Sequence, residues 1–429
     1  MKSILTLTAA GSLFAALAMA QPQHYTLTDL GPVGGAPGQA FSVASNGLAA
    51  GAAAVSNGMM HATLWYQGMK ADIGTPGFGA QNSVAFSVNQ RGQAVGESES
   101  LSALNPTDED FCGFKAQGLL SKGVGCVPFL WEYGVMTPLP TLGGSSGAAN
   151  LINNRGVVAG VAETSVRDPG CPAPQVLQFK PVIWDREGVH ELPTASGDPD
   201  GVAFSINDNG QVAGASGDCS TFSPQTLVNL QPLHALLWDT GTVTDLGNLG
   251  GTGHGMGIVA LNLNNQGEVV GESDLPGDQA FHGFLWSRDT GMKDLGTLPG
   301  DAVSAALNIN NRGEVIGVSL DANFNPRAFV WQNGTMTDLN TLVPADSPLA
   351  LLLACGINNR GEIVGFAVDK STGESHAFLA SPGDGAAGSE TTVGGTRIAT
   401  RPRALSEDAR KLIQQLRFGR LGAVLGGPR

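Results

Sequence analysis

Hydrophobic and polar positions alternate in short runs of four to seven residues, and the runs are broken by the same polar turn again and again. The turn is clearest in Ile309-Asn-Asn-Arg-Gly-Glu-Val-Ile-Gly317. Close copies are Val88–Gly96, Ile152–Gly160, Ile206–Gly214, Leu263–Gly271 and Ile357–Gly365. Ala44–Gly51 reads as a seventh copy, one residue short. Asn followed by Gly between two apolar runs predicts a hairpin, because the Asn side chain bonds nearby backbone and Gly accepts positive φ. The second Gly of each copy, Gly317 in the clearest one, falls inside the outgoing strand, where Gly marks a bulge or a close backbone approach.

Two further strands follow each hairpin. One is an apolar run that ends in Trp at 65, 131, 184, 238, 286 and 331, with Ala380 in the seventh copy; all six tryptophans occupy this position. The other is a short strand carrying a polar residue before Leu, such as Thr244-Asp-Leu-Gly247 and Lys293-Asp-Leu-Gly296. Equivalent positions recur every 45 to 66 residues. Four short strands at that period predict an all-β fold, a β-propeller of seven four-stranded blades. The last copy has no fourth strand, whereas His24–Gly31 is a fourth strand with no blade before it. The N-terminal strand is therefore expected to close the last blade and remove the open edge.

The strand pattern His-Ala-Phe-Leu, the Asp-Leu-Gly-Thr-Leu segment and Ile-Asn-Asn-Arg-Gly-Glu-Val-Val-Gly resemble the HAF repeat family of extracellular repeat proteins, over about residues 24 to 380. The resemblance implies export and a repeat fold. It implies no defined reaction, so it assigns no catalytic residue.

The ends differ from the middle. Residues 1–20 read as a secretory signal peptide: Lys2, an apolar run from Ile4 to Met19, then Ala18-Met19-Ala20. The propeller is expected over 21–382, a flexible Gly-rich linker over 383–403, and a basic tail with a short helix over 404–429. The formal net charge is −14 over 429 residues. Residues 397–429 hold eight basic and two acidic residues, so the propeller is more acidic still. That repels nucleic acid, while the tail suits a membrane surface or the propeller itself. No other stretch is long and apolar enough to cross a bilayer. A periplasmic or extracellular monomer is the expected product.

Five cysteines stand at 112, 126, 171, 219 and 355. Export permits disulfides, and placement in the loops predicts Cys112–Cys126 and Cys171–Cys219, with Cys355 a buried thiol in a first strand. No pair has structural zinc spacing. Calcium is the one ion with candidate oxygen ligands, in Asp198-Pro-Asp-Gly201 and Asp208-Asn-Gly210, though neither has EF-hand spacing. No other cofactor is expected.

The loops between second and third strands are long in blades 2, 3 and 4, and they share a face with the inter-blade loops. Gathered and cross-linked, they are the candidate surface for a protein or glycan. Its residues are Asp108, Glu109, Asp110, Phe111 and Phe114 with Arg167, Asp168, Asp218 and Phe222. A hydrolase or lyase acting on glycans through Asp108 or Asp110 is the enzymatic alternative, and it needs two carboxyl groups converging in a cleft. A surface scaffold tethered by the tail is the third. Nucleophile-elbow, metalloprotease and phosphate-loop motifs are absent. The repeated histidines (61, 234, 282, 376) and aspartates (29, 72, 245, 294, 338) read as structural, since a functional group should break the repeat.

Overall fold

The computed structural model describes residues 24–31, 39–55, 59–77, 80, 82–100, 125–171, 177–219, 234–253 and 257–383. They form a seven-bladed β-propeller. Strands are numbered β1 to β28 in chain order. Six blades use consecutive strands: β2–β5 (39–74), β6–β9 (83–138), β10–β13 (143–191), β14–β17 (200–245), β18–β21 (258–294) and β22–β25 (303–338). The seventh pairs β26 (Leu349–Ile357), β27 (Ile363–Asp369) and β28 (Ser375–Pro382) with β1 (Tyr25–Gly31) as its outer strand. Tyr25 lies opposite Pro382, and His376 Nδ1 bonds the Asp29 carboxylate at 2.9 Å across that clasp. First strands of neighbouring blades touch all the way round, β26 to β2 included.

Each first strand carries a β-bulge, at Phe41, Phe86, Asn150, Phe204, Leu261, Leu307 and Cys355. An unpaired bulge residue re-aims its side chain. Here Phe41, Phe86, Phe204 and Leu261 share one apolar cluster, and Leu307 and Cys355 share a second with Phe41 and Leu261. Phe41 meets the rings of Phe86 and Phe366 edge-on, each at 5.6 Å. The propeller axis is thus plugged by side chains at this level. Cys355 is a buried free thiol, as its strand position implied. The bulges also explain the second glycine. A Cβ on Gly271 or Gly317 would overlap the carbonyl oxygen of Val259 or Ala305 opposite.

The Asn turns do more than turn. Asn310 Oδ1 accepts from Arg312 N (2.9 Å) and Glu314 N (3.1 Å), holding its own loop. Its Nδ2 donates to the Asn358 carbonyl of the next blade at 3.0 Å. The same forward bond runs from Asn89 to Asn153, Asn153 to Asn207, Asn207 to Asn264, Asn264 to Asn310, and Asn358 to Ala44. A second chain runs in the same direction with backbone as donor and side chain as acceptor: the amide after the first Asn donates to the second Asn of the next turn, as Asn311 N does to Asn359 Oδ1 at 2.9 Å. Both positions of the Asn-Asn pair therefore face a neighbouring blade.

One expectation needs correction. The first turn is not a residue short. Ala44 N bonds Leu48 O as Asn310 N bonds Glu314 O, so Val43–Gly51 is a full copy with Ala44 at the Asn position. Asn46, at the Arg position, covers part of the work: its Oδ1 accepts from Leu48 N, and its Nδ2 donates to Gln90 O, one residue past the carbonyl that the other asparagines use.

Candidate functional site

The histidines behave as frame. His61 Nδ1 lies 3.0 Å from Asp72, His282 Nδ1 2.9 Å from Asp294, and His376 Nδ1 2.9 Å from Asp29. In blade 6, Arg327 reaches Asp338 instead, at 3.3 Å, and also Asp301 at 2.7 Å. His234 turns away from the aspartate of its own fourth strand and meets Asp198 at 2.8 Å. The aspartates also accept from the amide two residues on, as at Gly74 and Gly296. The hydrogen bonds from His282 and the Gly296 amide hold the Asp294 carboxyl below its ordinary range, against the opposing effect of burial.

A second frame contact ties the third strands of blades 1, 2, 3 and 5 to the next blade. Ala62 N donates to Ser83 Oγ (2.8 Å) and Gly283 N to Ser304 Oγ (2.9 Å). In blades 2 and 3 the equivalent residue is Pro128 or Pro181, which has no N–H to give. The bond two residues back, present in blade 1 as Met60 N on Asn82 Oδ1 (2.9 Å), remains as Cys126 N on Ser146 Oγ (3.3 Å) and Phe179 N on Asp200 Oδ1 (2.9 Å). Glycine stands opposite each proline; a Cβ on Gly201 would sit 3.1 Å from Pro181 Cδ.

Asp200 is the exception. Where the frame uses a neutral oxygen, this position carries a fully buried carboxyl. One oxygen makes the frame bond, and the other, Oδ2, has no hydrogen-bond partner. Burial above all, and then the charge of Asp168, push its pKa up to about 7, against the Phe179 amide and the Lys180 ammonium. Asp168 comes from the second-to-third-strand loop of blade 3, and its Oδ1 accepts from Gly170 N at 2.7 Å. A single ligand atom from each of Asp168, Cys171, Asp200 and Cys219 falls within 4.8 Å of every other. Cys171 and Cys219 are disulfide-bonded, with Cα atoms 5.0 Å apart and 48 residues between them in sequence. Asp218, the neighbour of Cys219, brings its Oδ1 to the far side of Gly170, where a Cβ would lie 3.1 Å from Asp168 Oδ1 and 3.5 Å from Asp218 Oδ1.

The structure thus brings together Asp168 and Asp218 of the predicted surface, beside the predicted Cys171–Cys219 bridge. Asp200 was singled out in sequence only as part of the calcium-like Asp198–Gly201 stretch. Asp208, in the other such stretch, is instead an inter-blade frame residue that accepts from Asn154 N at 2.8 Å and from Asn154 Nδ2 at 3.0 Å. Arg167 is exposed at the end of β11, a strand that runs on to pair Arg167 with Leu177, further than expected. Next to it Val166 is 56% exposed, an apolar side chain on the same rim. Asp108, Glu109, Asp110, Phe111, Phe114 and Phe222 lie outside the described residues. Cys126 is disulfide-bonded, and its expected partner Cys112 also lies outside them. So do residues 1–20 and most of the linker and tail.

No protein-family profile and no curated protein sequence matches the chain. Among solved structures, it is similar to the β-propeller domain of the Trilobed protease from Pyrococcus furiosus, at 9% identity and TM-score 0.45, covering 83% of this chain and 95% of that one. It is also similar to AofleA from Arthrobotrys oligospora, at 10% identity and TM-score 0.33 over 74% and 89% of the two chains. Trypanosoma rangeli sialidase matches at 10% identity and TM-score 0.34, over 84% of this chain and 55% of its own. At such identities nothing about ligand or activity passes to this chain. Among the described residues no helix is long and apolar enough to cross a membrane.

Proposed function

We propose that this chain is an exported, non-catalytic propeller of the HAF repeat type, which binds a protein or glycan on the face bearing the second-to-third-strand loops of blades 2 to 4. One observation carries the reading. The repeated polar groups are spent on contacts within and between blades, whereas Asp168, Asp200 and the Cys171–Cys219 disulfide, which depart from the repeat, gather at the second-to-third-strand loops of blades 3 and 4. Cross-linked loops on a rigid scaffold are the usual place for recognition. The bridge also supports export, since disulfides persist in oxidising compartments. Convergent carboxyls alone do not make this a glycosidase. Asp200 is fully buried and committed to Phe179 N, so it has no open side on which to meet a sugar.

A glycan array and a protein pull-down with the mature chain test the proposal. Capture of a ligand that is weakened at least tenfold by Arg167→Glu with Val166→Ser, both exposed positions, supports it. Capture unaffected by these changes moves the site to another face. Turnover of a polysaccharide that is abolished by Asp108→Asn or Asp110→Asn would establish the enzymatic alternative instead.

A further inference from the structure

We infer that Asp168 and Asp200, with the charge of Asp218 nearby, form a site for a calcium-class divalent cation, set between blades 3 and 4 beneath the long-loop face. At the position of Asp200, blade 2 has Asn82 and blade 3 has Ser146, and a single neutral oxygen there satisfies the amide of the preceding blade. A carboxyl performs that task no better than a hydroxyl, and it brings a charge into a place with no solvent exposure. No N–H or neutral O–H donor reaches the extra oxygen, and the Asp168 carboxylate lies beside this side chain. Two carboxyl groups brought together in a buried place need a positive charge between them, a proton or a metal ion.

The surroundings specify the ligand. The Asp200 and Asp168 oxygens are no more than 4.8 Å apart, about twice the 2.3–2.6 Å calcium–oxygen distance, so one ion can bridge them. Asp218 adds negative charge beside Gly170, outside the group of ligand atoms that lie within 4.8 Å of one another. The nearby cation, Lys180 Nζ, is directed to the Pro199 carbonyl at 2.5 Å rather than to Asp200. Cys171 and Cys219 are joined as a disulfide and offer no thiolate, which removes the soft ligands that zinc and copper favour. The bridge keeps the Asp168 loop and the Asp218 loop from separating, so the carboxylates are held together before the ion arrives. Hard oxygen ligands held with some freedom suit calcium better than magnesium, which demands a tight octahedron.

The inference does not rest on the proposed ligand, and it is read by a different measurement. Equilibrium dialysis of the oxidised mature chain against radiolabelled calcium should show one bound ion, with a Kd in the roughly 0.1–1 mM range of extracellular modules. Thermal unfolding should shift upward in calcium and less in magnesium. Asp200→Ser is the decisive variant, because it installs the residue that blade 3 uses and so keeps the Phe179 bond and the fold. It should lose at least tenfold in affinity together with the thermal shift, and Asp168→Asn should do the same. Three results overturn the inference: no calcium uptake at 10 mM, calcium binding unchanged in Asp200→Ser, or zinc binding that appears only after reduction and marks a thiolate site.

Discussion

The ring of asparagines makes a quantitative test, and Asn310→Ala is the cleanest perturbation. Asn310 is 3% exposed and makes four hydrogen bonds. Two hold Arg312 N and Glu314 N in its own turn, one satisfies the Asn358 carbonyl of the next blade, and one reaches Glu314 Oε2 at 2.5 Å. Alanine leaves two amides without partners and takes from the Asn358 carbonyl one of its two donors, Gly361 N remaining, while the Glu314 carboxylate keeps Arg312 and Gln332. An orphaned backbone group costs about 1–3 kcal/mol and a lost hydrogen bond about 1 kcal/mol, and the low end applies at a turn that water can partly reach, so the loss is about 3 kcal/mol. With an unfolding entropy near 2.1 cal/mol/K per residue over roughly 300 described residues, Tm falls by about 5 °C. Calorimetry and urea titration both measure it. Blade 1 supplies the control, because there Ala44 stands in the ring and Asn46 does part of the missing work. Adding Arg312→Asn to Asn310→Ala should restore about half of the loss. A single variant within 0.5 kcal/mol of the parent, or a double variant no better than the single, refutes the idea that these asparagines join the blades.

Three other outcomes follow from the same contacts. Gly317→Ala forces a Cβ into the Ala305 carbonyl and the Phe329 ring and should cost about 2–4 kcal/mol; Gly334→Ala, at φ +85° with open space around it, should cost about 1 kcal/mol, both read by denaturant titration. Burial chiefly, and then the Glu314 charge, push the Tyr25 hydroxyl up to about 12, with Arg312 opposing. A raised folded-state pKa means that the contribution is complete below pH 10 and fades as pH climbs through about 12. Roughly 2–3 kcal/mol of stability should disappear over that window. Tyr25→Phe should flatten this alkaline decline, and an unchanged decline counts against it. Replacing Cys171 and Cys219 together by Ser releases a loop spanning 48 residues and should lower stability by up to about 4 kcal/mol, visible as a lower Tm with the propeller circular-dichroism spectrum retained.

Much of this molecule is local, and local matters are legible in a chain that repeats itself. Asn and Gly in one turn specify a hairpin; a missing fourth strand at one end and a spare one at the other specify the clasp; the seven copies specify the count. Gly317 announced a close approach without saying to what. The answer, the Ala305 carbonyl beside a bulge, needs the register of the partner strand. The asparagines announced a turn but not a ring, because an Asn bonding its own backbone and one bonding a neighbour 48 residues away look alike in sequence. The same limit hid the reason for Asp200. Its meaning depends on the Phe179 amide of the preceding blade, which it accepts from, and on Asp168, which arrives from a loop 32 positions earlier. Hydrophobic alternation and turn chemistry act over a few residues, so sequence alone determined the blades, their number and their closure. Which carboxyls meet, and which buried oxygen lacks a partner, is set by how one blade packs on the next, and only the assembled ring decided that.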